Sequence, residues 1–141
     1  MGLNIYFAAP LHDVEDREYN DKIIEELRRE GHRVYAPHEH GVWEHVLQAK
    51  FNGDVTKCRR WFFEQDLRAM SKANVCVATM NRSKGPSEGM LWEMGWMTAA
   101  HKPVYLYNSN NWDYNLMPEF GSRYFTTLAD LILELRDERF M

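Results

Sequence analysis

The chain has 141 residues, 45% hydrophobic and 27% charged, the size and make-up of one globular domain rather than a disordered segment. Its net charge of −4 disfavours nonspecific binding to a nucleic-acid polymer, which draws on surplus Lys and Arg to release counterions. No apolar run is long enough to span a bilayer and no signal pattern opens the chain. The two Cys, Cys58 and Cys76, lack metal-ligand spacing, which points to a reducing, cytoplasmic setting with no membrane partner.

The apolar run Leu3 to Ala9, bounded by Pro10, predicts a buried strand. Asp13 is a candidate cap for the helix that follows, whose apolar side carries Val14, Ile23, Ile24 and Leu27 and which Gly31 ends. His32 to Ala36 reads as a second strand, stopped by Pro37. Residues His38 to Val55 admit two readings, a short helix or a packed loop carrying Trp43, Val46, Leu47 and Phe51. An amphipathic helix follows over Thr56 to Lys72, then a β-branched strand over Asn74 to Thr79. A polar turn, Asn81 to Pro86, leads to a helix over Ser87 to Ala100 and a fourth strand over Lys102 to Tyr107. Asn108 to Asn111 reads as loop, Arg123 to Phe125 as a short fifth strand, and Thr127 to Arg136 as a final helix. Alternating strands and helices of this kind predict a doubly wound parallel sheet of about five strands, covered on both faces. Ligands of such sheets bind beyond the C-terminal strand ends.

The segment Gly85 to Trp96, GPSEGMLWEMGW, leaves a strand and enters a helix. Gly85 and Gly89 allow close backbone approach, and the helix start offers free N–H groups to an anion. Glu93 lies about 1.7 turns after Ser87 among Met90, Leu91, Trp92, Met94 and Trp96. By itself a helical Glu is more often solvated, and the segment lacks the Lys of a phosphate-binding P-loop. Asp66 alone reads as a helix-surface charge, Tyr6 as a strand tyrosine, and Asn115 as the cap of a turn before Pro118. His32, His38, His40, His45 and His101 are scattered and read as surface or loop residues, without the spacing of a zinc site. Lys57, Arg59 and Arg60 read as a solvated helix start.

Together, in this order, these residues resemble the nucleoside 2-deoxyribosyltransferase family. The resemblance runs from Ile5-Tyr6-Phe7-Ala8-Ala9-Pro10-Leu11 through Tyr19-Asn20 and Glu64-Gln65-Asp66-Leu67. It continues through Gly89, Glu93 and Gly95, then Lys102-Pro103-Val104, and ends at Asn115-Leu116-Met117. The opening strand is a loose motif; the glycine–glutamate–glycine helix followed by KPV is far more specific. The resemblance implies a flavodoxin-like sheet, a small nucleoside or nucleotide substrate, and neither cofactor nor metal. It also implies that Glu93 attacks the anomeric carbon to form a glycosyl ester, that Asp66 protonates the leaving base, and that Tyr6 orients Glu93. Asn115 and Met117 would reach the sugar end, in this family often in a neighbouring subunit's site, which implies a homodimer or larger homo-oligomer. The chemistry is coherent: a carboxylate beside the anomeric carbon stabilises oxocarbenium-like charge, and covalent capture divides one hard step into two. Burial around Trp61, Phe62 and Phe63 would raise the Asp66 pKa as an acid requires.

One position departs from the family pattern. Six residues before the nucleophile the transferases usually carry Asp, which accepts from the sugar 5′-hydroxyl; here it is Ser87. Serine there is similar to the nucleoside 5′-monophosphate N-glycosidases of the same superfamily, since a carboxylate repels a phosphate and a hydroxyl donates to it. His12 lies where those hydrolases tend to have Arg, and Gly89 adds backbone to the same turn. Asn115-Leu116-Met117 looks more like the transferases. The expectation is therefore deoxyribosyl transfer between bases, with release of a base from a monophosphate to water as the alternative. Two non-catalytic readings differ from these: a nucleotide-binding module predicts that Glu93→Ala leaves function intact, and an oligomerisation domain would explain the Trp and Met excess but leaves the Glu93 segment unexplained.

Overall fold

The computed structural model describes residues 2–11, 14–80, 86–110 and 115–138. Five strands form one sheet in the order β2-β1-β3-β4-β5, with every neighbouring pair parallel. They are β1 (Asn4–Ala8), β2 (Arg33–Tyr35), β3 (Val75–Thr79), β4 (Val104–Tyr107) and β5 (Arg123–Phe125). The helices are α1 (Val14–Arg29), α2 (Trp43–Phe51), α3 (Val55–Lys72), α4 (Glu88–Ala99), α5 (Leu116–Phe120) and α6 (Leu128–Glu138). This is the single α/β domain with a parallel sheet that the alternating pattern implied, in the flavodoxin-like order that the resemblance implied.

Period-two alternation sorts the side chains into two cores. From β1, Ile5 and Phe7 join Val75, Val77 and Tyr105 on one face, under Ile23, Ile24 and Leu27 of α1 and Leu131 and Leu135 of α6. Tyr6 and Ala8 join Cys76, Ala78, Val104 and Leu106 on the other face, under Met70 of α3 and Met90, Met94 and Met97 of α4. The central strands are buried on both sides, which is why they read as unbroken apolar runs. Cys76 is one of these core residues and fully buried.

Element boundaries follow local chemistry. Gly31 takes φ +91°, the left-handed geometry that ends α1. Asp54 caps α3 by accepting from the Lys57 N–H at 3.1 Å. The ambiguous stretch before it contains a genuine helix, α2, but none of its residues is buried. Its aromatics lie on α3 instead, with Trp43 against Phe62 at 5.7 Å and Phe51 against Trp61 at 6.1 Å between ring centroids. One histidine differs from its reading: His32 is buried, with its Nδ1 accepting from the Leu3 N–H at 3.1 Å. The proposed cap Asp13 lies outside the described residues.

At the C-terminal strand ends, Asn20 ties three segments together. Its Nδ2 donates to the Pro10 carbonyl at 2.9 Å after β1, and its Oδ1 accepts from the Thr79 hydroxyl at 3.2 Å at the end of β3. Both side chains are buried, so the link is shielded from competing water.

Candidate active site

Tyr6 sits in the middle of β1 on the face covered by α3 and α4. Its hydroxyl donates to Glu93 Oε2 on α4, the helix opposite. On the neighbouring strand, Tyr35 stands in register with Tyr6, and its hydroxyl donates to Asp66 Oδ1 on α3 at 3.2 Å. Two adjacent strands thus each hold one carboxyl, and the two carboxyls come from two different helices.

Asp66 and Glu93 share a cleft of about 460 Å³ with Phe63, Met70, Glu88, Gly89 and Trp92. Phe63 and Trp92 meet edge to face at 5.7 Å on its rim and are about half exposed, leaving aromatic surface open to a flat ring. Of the three aromatics expected around Asp66, Phe63 alone lines this cleft; Trp61 and Phe62 turn to α2. The cause is helical rotation: Phe63 falls on the α4 side of Asp66 and Phe62 on the α2 side.

Burial pushes the Glu93 carboxyl up to about 7; the Tyr6 hydrogen bond opposes the rise and the Asp66 charge adds to it. Asp66 is pushed up to about 6 by burial, against the Tyr35 hydrogen bond. Burial and the two carboxylates hold the Tyr6 phenol far above its usual range, so it remains a donor. Two close carboxyls with raised pKa values hold roughly one proton between them near neutral pH. A developing positive charge beside Glu93 would favour its ionised form and send the proton to Asp66.

Ser87 caps α4, its Oγ accepting from the Met90 N–H at 3.3 Å, which leaves its own proton free to donate. Its exposed neighbour Glu88 lines the cleft at this turn. Asn115 caps α5, accepting from the Met117 N–H at 3.0 Å. Asn115 and Met117 do not reach Glu93 in this chain. They line a second groove of about 740 Å³, with Leu91, Met94 and Thr98 of α4 and Phe120 of α5. His12 lies outside the described residues. Among the described residues, no three His, Cys, Asp or Glu side chains are grouped as a metal ion would require, and no helix is long and apolar enough to cross a membrane.

Sequence reasoning missed Tyr35, Glu88, Trp92 and Met70. Tyr35 had a signal, since it ends β2 at the register position that Tyr6 holds in β1. The others show themselves only once α3 and α4 face each other.

The sequence profile of the family described as Nucleoside 2-deoxyribosyltransferase matches residues 5–133. Comparison with curated proteins gives no match. Among solved structures, the 2-deoxyribosyltransferase of the psychrotolerant bacterium Bacillus psychrosaccharolyticus is 26% identical with a TM-score of 0.74, over 91% of this chain and 89% of that one. The CMP N-glycosidase BcmB of Clostridium botulinum is 14% identical with a TM-score of 0.57, over 94% of this chain and 97% of that one. A 2-deoxyribosyltransferase from Leishmania mexicana is 16% identical with a TM-score of 0.52, over 84% and 71% respectively. At those last two identities what is shared is the fold. With the family match covering the sheet and both carboxyl-bearing helices, the chain belongs to the nucleoside 2-deoxyribosyltransferase family and is an enzyme of it.

Proposed function

We propose that the protein transfers 2-deoxyribose from one nucleobase to another. The observation that carries this reading is the Glu93 carboxylate, fixed by the Tyr6 hydroxyl in a cleft it shares with Asp66. Glu93 attacks the anomeric carbon as the bond to the base nitrogen breaks. The bonding pair leaves with the base, which takes the Asp66 proton. The sugar is then an ester on Glu93. A second base attacks the same carbon, returns a proton to Asp66 and frees Glu93. Two inversions give net retention. The Phe63–Trp92 rim suits a planar base.

A second reading, a nucleoside 5′-monophosphate N-glycosidase with water as acceptor, draws on the Ser87 hydroxyl at the start of α4. Glu88 favours the transferase instead. The described residues lining the cleft include three carboxyls, Asp66, Glu88 and Glu93, and no Lys, Arg or His. That lining suits an uncharged sugar end better than a phosphate.

The same reading makes the protein a homo-oligomer. Leu116, Met117 and Phe120 are 60%, 71% and 82% exposed beside the α4–α5 groove, more apolar surface than a lone subunit keeps without use. A second copy covering it would carry Asn115 and Met117 towards a neighbouring cleft.

The deciding assay supplies a deoxynucleoside with a different free base, and in parallel a deoxynucleoside monophosphate alone. Base exchange is expected, and Glu93→Gln lowers it at least about a thousandfold. Monophosphate cleavage without exchange would replace this reading with the hydrolase. Full activity in Glu93→Gln would end both.

A further inference from the structure

The Tyr35 ring is clamped on both faces. Tyr6 stacks on one side, with centroids 5.7 Å apart and planes 16° apart. His40, from the turn after β2, stacks on the other at 4.1 Å and 10°. A ring held on both faces keeps its hydroxyl in one place, and that hydroxyl meets Asp66 Oδ1 at 3.2 Å. We propose that Tyr35 is a positioning residue for the reaction: the Tyr6–Tyr35–His40 stack anchors one oxygen of Asp66, which leaves the other to carry the proton to the departing base. This rests on the assignment of Asp66 as the acid above.

A carboxyl on a helix bordering a cleft has two oxygens and free rotation between them. An acid must present its proton along one line to one ring nitrogen, and misalignment by a fraction of an ångström costs rate. Because the hydroxyl donates to Oδ1, the acid proton belongs on Oδ2. Glu93 receives the matching service from Tyr6, so adjacent strands hold the two reacting groups at a fixed separation. Around Asp66 stand Tyr6 from β1, Tyr35 from β2 and Glu93 from α4, with the exposed Glu88 of α4 lining the same cleft and His40 behind the Tyr35 ring. The Tyr35 hydrogen bond favours the ionised carboxyl and holds back the rise that burial causes.

A purely structural Tyr35 would need only its ring, and Tyr35→Phe keeps the ring. The test compares that variant with the wild type in two ways. In the absence of substrate, carboxyl-carbon NMR of labelled Asp follows the titration of Asp66. The midpoint is expected to move upward by roughly half a unit to one unit. In the base-exchange assay kcat is expected to fall about tenfold with KM little changed, and the high-pH limb of the rate profile moves upward with the Asp66 midpoint. In an Asp66→Asn background Tyr35→Phe costs little more, because the group it orients has lost its proton. A second variant, His40→Ala, leaves the hydroxyl but frees one face of the ring, and a smaller shift in the same direction is expected. An unmoved Asp66 midpoint in both variants overturns the proposal, as does an equal loss from Tyr35→Phe with and without the Asp66 carboxyl. The NMR arm needs no turnover. A protein that exchanges no bases yet shows the shifted midpoint would remove the transferase reading and keep the hold of Tyr35 on Asp66.

Discussion

On the transferase reading, Glu88 is expected to bias the cleft against a charged sugar end. Glu88 lies on the first turn of α4, beside the capping Ser87, and lines the cleft with Asp66 and Glu93. Its charge repels a phosphate from the same turn whose Ser87 hydroxyl would welcome one. Glu88→Gln removes the repulsion and leaves a side chain of the same length. The ratio of kcat/KM for a deoxynucleoside monophosphate to that for the deoxynucleoside is expected to rise about tenfold. Equal change for both substrates would show that Glu88 plays no part in the choice. Glu93, Asp66 and Tyr6 were legible in the sequence because a motif carried them through a resemblance, and the structure brings all three together. Glu88 was not, because Ser87 occupies the position where the family pattern directs attention. Trp92 and Phe63 were readable as apolar helix residues, but nothing in their spacing says that they meet across two helices.

Among the elements, α5 was the least visible. Five residues, Leu116–Phe120, are too few to display a period, and the segment reads as a turn before Pro118. Pro118 fits because the first helical positions need no N–H partner. β2 and β5, three residues each, were nevertheless recognised, since Pro37 bounds one and the apolar ring pair Tyr124 and Phe125 marks the other. α2 stayed ambiguous for a physical reason: it rests on α3 rather than on the sheet, so no stripe of buried residues marks one face. The exposed apolar side chains of α5 give a test at this scale. Met117→Asp, in a residue 71% exposed, leaves the subunit's own core untouched. On the proposed assembly it is expected to give smaller species than the wild type in analytical ultracentrifugation and to lower activity at least about tenfold, with the circular dichroism spectrum unchanged. An unchanged sedimentation coefficient together with full activity would detach α5 from assembly and from the site alike.

For the whole molecule, holding two carboxyls in one cleft has a thermodynamic signature. The pKa of Glu93 rises from 4.5 to about 7 and that of Asp66 from 3.8 to about 6. The folded protein therefore retains protons that the unfolded chain releases. Their contribution to stability is fully present below the unfolded values, near pH 4, and is lost as pH rises through the folded values. Glu93→Gln abolishes that dependence at its own site. The variant is expected to melt a few degrees above the wild type at about pH 8, with the gap closing towards about pH 4, as read by calorimetry. A gap independent of pH would mean that the carboxyl is not strained by its surroundings. The fold itself was legible at this scale, because strand runs and helix periods alternate from one end of the sequence to the other. What stayed hidden was the cleft, which belongs to no single segment.

The two cores of the sheet are unlike in substance. Branched aliphatic and aromatic side chains fill the side under α1 and α6, whereas Met70, Met80, Met90, Met94 and Met97 crowd the side that bears Glu93 and Asp66. Unbranched thioethers settle into new shapes with little resistance, and a volume-conserving exchange among them costs less than about 1.5 kcal/mol. The half that carries Glu93 and Asp66 therefore lies on a pliable bed, one that substitution can reshape for a larger or smaller ring without disturbing the branched core on the opposite face.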